Sequence, residues 1–177
     1  MASSVTVVNT TWATPVTWAA YDDLTASLMN AQLRDKLNAL HTPAGAYSLI
    51  DEADYTTTST SFTDIDSTDL AHTFTSGGGI IIASFTGSFL QSSGLNSTKN
   101  YLNLMVDGAD FFSGDGIGFF ITVNPVVAMV SFNVPIYGLA AGSHTIKMRW
   151  KVSTGTLTLY AGSGTPAVHP PFHCWEI

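Results

Sequence analysis

From Tyr55 onward, apolar and polar positions alternate with a period of two, the signature of half-buried strands. Tyr55–Ile65 is rich in Thr and Ser, and Gly77-Gly78-Gly79 then interrupts the chain. Ile81, Ala83, Phe85 and Phe89 share one face of Ile80–Leu90, and Leu102, Leu104 and Val106 share one face of Tyr101–Asp107. Further inward sets are Ile117, Phe119, Ile121 and Val123, then Val126, Ala128, Val130, Phe132, Val134 and Ile136. Pro135 lies on the other face of that last stretch and has no N–H for a ladder, which places it at a strand end or sheet edge. Ile146, Met148, Trp150 and Val152 alternate with Thr145, Lys147, Arg149 and Lys151. Ser153-Thr154-Gly155 reads as a hairpin turn into Thr156–Ala161, where Leu157 and Leu159 point inward, and a last strand covers Pro171–Ile177. Eight or nine short strands with turns between them and no intervening helix predict a mainly β fold. The expected form is an antiparallel β-sandwich of jelly-roll type.

The chain before this series is different. Residues 1–24 read as an extended arm, Val- and Thr-rich over Ser3–Thr11, with Pro15 breaking any helix. Trp12, Trp18 and Tyr21 are spaced along an arm too short to form a core, so their rings must bury against something else. One helix follows. Thr25 is a fitting N-cap, and Ala26, Met29, Leu33, Leu37 and Leu40 then recur at helical spacing on one face, like a two-heptad coiled-coil seam. Asn30 lies beside the stripe, where a polar residue can fix register or oligomer state. His41-Thr42-Pro43 and Gly45 end the helix. Such a stripe packs either on its own domain or on other copies. A helix of about 15 residues is marginal alone, and self-association is the reading taken here. The chain thus divides into residues 1–45, an anchoring arm and oligomerisation helix, and residues 46–177, the β-domain.

Composition sharpens this picture. Of 177 residues only 11% are charged while 45% are hydrophobic, and surface polarity falls to 41 Ser and Thr. Six Lys and Arg against 13 Asp and Glu, a net charge of −7, argue against a nucleic-acid partner, whose phosphates need clustered basic side chains. A single cysteine excludes an intramolecular disulfide framework and a Cys-rich zinc module. No apolar run approaches the roughly 18 residues of a membrane-spanning helix. The opening MASSVTVVNTTWATP lacks the basic and long apolar regions of a signal peptide. A folded protein with so little surface charge is a poor solitary monomer, so subunit contacts are expected to cover much of its outside.

Candidate chemistry is sparse. There is no G-x-S-x-G, P-loop or H-E-x-x-H motif. Gly114-Asp115-Gly116-Ile117-Gly118 precedes a strand rather than a helix, so it reads as a loop, not a phosphate cradle. Asp64, Asp66 and Asp69, and likewise Asp107, Asp110 and Asp115, have the flavour of calcium loops. The first lacks the EF-hand glycine and glutamate, and both read as Asx turns. With Glu52 and Glu176 the only glutamates, paired-carboxylate glycosidase chemistry would rest on these turn aspartates, and nothing in the spacing brings two of them together. His169, His173 and Cys174 are close in sequence, but on a strand His173 and Cys174 face opposite ways. No catalytic, cofactor or metal residue is therefore assigned. Lys147, Arg149 and Lys151 hold half the basic residues on one strand face, either solvated or a contact strand for an acidic neighbour. A glycan site would use exposed aromatics, for which Trp12, Trp18 and Tyr160 are candidates.

Thr11-Trp12, Leu24-Thr25-Ala26, Asn30 and Arg34-Asp35-Lys36-Leu37-Asn38-Ala39-Leu40 resemble the opening of many tailed-phage virion proteins, where a Trp-bearing arm precedes such a helix. Gly142-Ser143-His144-Thr145, the Trp150 strand, Gly155-Thr156, Leu159-Tyr160-Ala161-Gly162 and the ending from His169-Pro170 through Phe172 to Glu176-Ile177 resemble the terminal β-domain of the same group. Cys174 departs from the apolar residue expected there. The resemblance implies a non-enzymatic structural protein of the virion, made in the bacterial cytoplasm. It would be a tail-fibre, neck, baseplate or head-appendage component, homotrimeric and bound to other virion proteins. A capsid-decoration protein and a host-receptor or glycan-binding module are the alternatives, with no membrane partner expected.

Overall fold

The computed structural model describes residues 4–8, 17, 19, 23, 25–34, 36–37, 42–50, 53–92, 98–121, 127–162 and 168–177. Trp12, Trp18, Tyr21 and Leu40 lie outside the described residues, as do Val123 and Val126. Thirteen strands run through the described chain. The first five are β1 (Ser4–Val8), β2 (Gly45–Leu49), β3 (Tyr55–Thr57), β4 (Thr63–Asp64) and β5 (Ala71–Ser76). Then come β6 (Ile81–Gln91), β7 (Asn100–Val106), β8 (Ala109–Asp110), β9 (Ile117–Phe119) and β10 (Val127–Ile136). The series ends with β11 (Gly142–Val152), β12 (Leu157–Tyr160) and β13 (Pro171–Glu176).

They form two antiparallel sheets. The first runs β1-β2-β13-β6-β12-β3 with β10 also on β6; the second runs β4-β11-β7-β8 with β5 also on β11 and β9 also on β7. In chain order, β2, β5, β6, β7, β9, β10, β11 and β13 place four strands in each sheet, as β2-β13-β6-β10 and β5-β11-β7-β9. That is the winding of a jelly roll, with the last strand inserted beside the first. The mainly β, antiparallel sandwich expected from the alternation is the fold observed.

Each sheet is organised around one eleven-residue strand. β6 carries β10 along one edge, from Val127↔Leu90 to Ile136↔Ile81, while β13 and β12 share the other edge. Its inward residues Ile81, Ala83, Phe85 and Phe89 are fully buried. Gly87 sits among them because a Cβ there would lie 2.7 Å from the Phe85 ring and 2.8 Å from Leu159. β11 pairs with β7 on one side and with β5 and β4 on the other. Ile146, Met148, Trp150 and Val152 are its buried face, as the alternation requires.

Several features differ from the sequence expectation. Ser153–Gly155 does not close a hairpin: it carries the chain from β11 in the second sheet to β12 in the first, where β12 pairs with β3 and β6. Tyr55–Ile65 is two short strands rather than one, because the chain crosses between sheets there; Val152 N–H donates to the Ser59 carbonyl at the corner. In β10 only Val134 and Ile136 are buried; Ala128, Val130 and Phe132 are half-covered, since among the described strands β10 pairs with β6 alone. Pro135 is thereby accommodated on an edge. Finally, Ser4–Val8 of the arm is an added strand on β2, from Ser4↔Leu49 to Val8↔Gly45.

The triple glycine also has a physical role. Glu176 is buried, and its carboxylate accepts hydrogen bonds from Ser76 Oγ (3.1 Å), Gly77 N–H (2.8 Å) and Gly79 N–H (2.5 Å). A Cβ on Gly79 would lie 2.8 Å from that same carboxylate, so only glycine lets the turn wrap around it.

Candidate functional site

The helical segment opens as expected. Thr25 is extended (φ −83°, ψ 153°), and its Oγ1 accepts a hydrogen bond from Leu28 N–H at 3.2 Å, the N-cap role its side chain predicts. The α-helical part (α1) covers Ala26–Met29, after which Asn30–Arg34 continues as a π-helix. The i→i+5 bonding of that turn shifts the phase of a stripe counted at α-helical spacing, so Met29, Leu33 and Leu37 do not form one straight seam. None of these turns buries a residue in the sandwich: Asn30 is exposed, Leu33 is 53% exposed and Leu37 64%.

The outer face of the second sheet holds the basic ladder. Lys147, Arg149 and Lys151 alternate outward on β11, and each meets a carboxylate of this same chain. Lys147 Nζ lies 2.9 Å from Asp64 Oδ2, Arg149 Nη1 2.5 Å from Asp110 Oδ1, and Lys151 Nζ 2.8 Å from Asp115 Oδ1. Arg149 also donates to the Phe62 carbonyl, and the Phe62 ring lies under Lys151 at 4.5 Å. The hydrogen bond and charge of Lys151 hold the Asp115 carboxyl below its ordinary pKa. The two aspartate clusters thus do other things than converge on one point. Asp66 Oδ1 accepts from Thr68 and Asp69 N–H as an Asx turn, while Asp107 binds His144 Nδ1 (2.7 Å) and Thr145 N–H (2.8 Å). Burial works to lower the His144 pKa, but the Asp107 carboxylate and Ala140 carbonyl outweigh it and raise it. Among the described residues no group of three or more His, Cys, Asp or Glu is placed to hold a metal ion. Gly114–Gly116 is a turn with left-handed glycines (φ 70° and 68°) leading into β9, with no helix behind it.

The outer face of the first sheet is built differently. β13 lies between β2 and β6, so their registers define rows of side chains across the sheet. One row is Thr6, Tyr47, His173, Ser84 and Asn133; the next is Val8, Gly45, Trp175, Ile82 and Pro135. Tyr47 and His173 ring centroids are 5.8 Å apart at 54°, and His173 and Trp175 are 6.4 Å apart at 73°. Tyr47 is 46% exposed, and the other two rings are half-buried. Gly45, opposite Trp175, has no room for a side chain: a Cβ would sit 2.4 Å from the Cys174 carbonyl. Beside it lies a cleft of about 260 Å³ bounded by Val8, Pro43, Tyr47, His173 and Trp175.

Beneath this face lies a buried polar link between the sheets. Ser48 donates its hydroxyl proton to the Asp69 carbonyl, which leaves it only a lone pair for His72 Nε2 at 3.1 Å. His72 is therefore the neutral Nε2–H tautomer, its ring stacked on Phe172 at 4.5 Å. Burial, then the proximity of His173, pushes its pKa down to about 4, against the opposing pull of the Asp69 carbonyl. This Ser–His pair is fully buried, which makes it a packing element. Cys174 is buried too, and burial pushes its thiol pKa up. His173 and Cys174 do face opposite ways, and His169 is occupied elsewhere, Nδ1 lying 3.1 Å from the Ile50 carbonyl.

The sequence reading thus located the ladder and the helix but missed Tyr47, His173 and Trp175 as a group. The strand parity of Phe172–Glu176 could have placed His173 and Trp175 together, whereas Tyr47 joins them only through strand pairing. No known protein-family model matches the chain, and no curated protein matches it. Among solved structures, the chain is similar to dimeric latent PorU from Porphyromonas gingivalis, at a TM-score of 0.34 and 14% identity over 72% of this chain. It spans 13% of the length of that protein, and a likeness of this size carries no argument about function.

Proposed function

We propose that this chain is a non-enzymatic structural protein of a tailed-phage virion, a homotrimeric appendage or fibre-like component anchored through residues 1–45. The observation that carries the reading is the helical segment: Leu33 and Leu37 are more than half exposed and bury nothing in the sandwich. Two exposed leucines on one capped helical segment are the material of a contact with another subunit. The resemblance of the arm, helix and β-domain motifs to virion proteins names the kind of assembly. β1 adds to this support, since it ties the start of the arm to the sandwich and so couples the anchor mechanically to the β-domain.

Light scattering on the full chain tests this directly. The expected mass is three times 18.8 kDa, falling to a single chain when Leu33→Asp and Leu37→Asp are combined. A wild-type protein that runs as one chain, or a mass indifferent to both substitutions, would overturn the reading.

A further inference from the structure

We propose that the cleft on the outer face of the first sheet is a binding site for a neutral saccharide, stacked on Tyr47 and Trp175. The proposal goes beyond the assembly role and stands without it. Three properties of the site point to this ligand class. First, the rings of Tyr47, His173 and Trp175 follow one another at 5.8 and 6.4 Å and are tilted rather than coplanar. Each ring presents its own surface, on the scale of one pyranose, and the C–H face of a sugar packs on the electron-rich face of an aromatic ring. Second, none of the ten positions in the two rows is Asp, Glu, Lys or Arg, although charged side chains crowd the other sheet. Beyond the cleft itself the same row carries Thr6, Ser84 and Asn133, whose hydroxyl and amide groups are suited to the hydroxyls of a longer glycan and select no charge. Third, the cleft of about 260 Å³ falls just below the roughly 300–1,000 Å³ of pockets for drug-sized molecules, the size for one ring of a longer glycan.

An extended peptide is the poorer occupant. β2 and β13 are each hydrogen-bonded on both sides, to β1 and β13 and to β2 and β6, so their main chains have no ladder to offer an added strand. Gly45 lies on the cleft wall in the tryptophan row, and the close approach of β13 forbids any side chain there.

The test uses the full chain with a panel of neutral oligosaccharides (gluco-, manno-, galacto- and N-acetylglucosamine hexamers), read by isothermal titration calorimetry. The wild-type protein should bind at least one member with a Kd of about 1 mM or tighter. Tyr47→Ala and Trp175→Ala should each weaken that binding by about tenfold or more, and Tyr47→Phe, which keeps the ring, by less than about threefold. Folding is checked by near-ultraviolet circular dichroism; if Trp175→Ala perturbs it, the half-exposed Tyr47 pair decides. Failure of the wild type to bind any member overturns the proposal, as does binding that survives both alanine substitutions. So does a Tyr47→Ala protein whose mass drops to a single chain with no sugar effect in the wild type, which would make the face a subunit contact.

Discussion

The two sheets turn opposite kinds of surface outward, and the contrast is instructive because both rest on the same alternation. On the second sheet every outward cation of β11 is answered by an aspartate of the same chain, from β4, from β8 or from the turn before β9, so the face is electrostatically closed. On the first sheet the corresponding positions hold rings, hydroxyls, an amide and a glycine, with nothing in the fold covering the cleft among the described residues. A face that satisfies itself stabilises the domain; a face that leaves rings exposed around a cavity is built for something outside it. The core between the two faces is shared: Ile146, Met148 and Trp150 contribute an apolar layer to it, and the Ser48–His72 link joins the two sheets within it.

The buried link between the two sheets gives the largest expected effect. In the folded chain His72 takes a proton only near pH 4, while an unfolded histidine does so near 6.5. Between those values the unfolded state binds more protons, so the contribution of His72 to stability is constant above about pH 6.5 and declines as pH falls towards 4. At 1.36 kcal/mol for each pKa unit, the loss approaches about 3 kcal/mol below pH 4. Urea denaturation at pH 7 and pH 4.5 should show the decline, and His72→Gln should flatten much of it. An unchanged slope in that variant would remove His72 as the cause.

Gly45→Ala is expected to come next. The new methyl meets the main chain of β13, which cannot move aside as a flexible side chain would, so about 2 kcal/mol of stability should be lost. Thermal unfolding reads this, and a neutral result would mean that β2 and β13 are less closely apposed than described.

The smallest effect belongs to the charged face. Arg149 is a half-buried ladder residue with an exposed partner, so Arg149→Ala should cost about 1 kcal/mol, mostly from the lost packing and the bond to the Phe62 carbonyl. Its ionic part should fade in about 1 M salt, whereas the Gly45→Ala deficit should not. A deficit equal at low and high salt would show that the ladder acts through packing alone.

How much of this was legible beforehand depended on the range of the interactions. The inward face of β11 follows from neighbouring residues, so alternation was enough to place it. Ser153–Gly155 does turn the chain, with Gly155 left-handed, but which strand the chain then joins depended on long-range pairing. Thr25 was likewise readable as an N-cap, since a cap acts over three residues. The π-turn after it was not, because α and π turns share the same residues and differ only in which carbonyl each N–H finds. Asp64, Asp110 and Asp115 were visible as acidic turns, but their pairing with the ladder needed the strands that carry them to be brought alongside.

The sequence by itself determined the mainly β character, the parity of each strand, the Lys147–Lys151 face and the capped helix, because each rests on local periodicity and backbone preference. Only the tertiary structure decided the partners across strands. The jelly roll inserts the final strand between β2 and β6, and that insertion sets His173 and Trp175 beside Tyr47 and brings the β13 main chain against Gly45. Strand order is a choice among pairings of nearly equal local merit, settled by how the whole core closes. A site built from that order is therefore absent from any single stretch of residues.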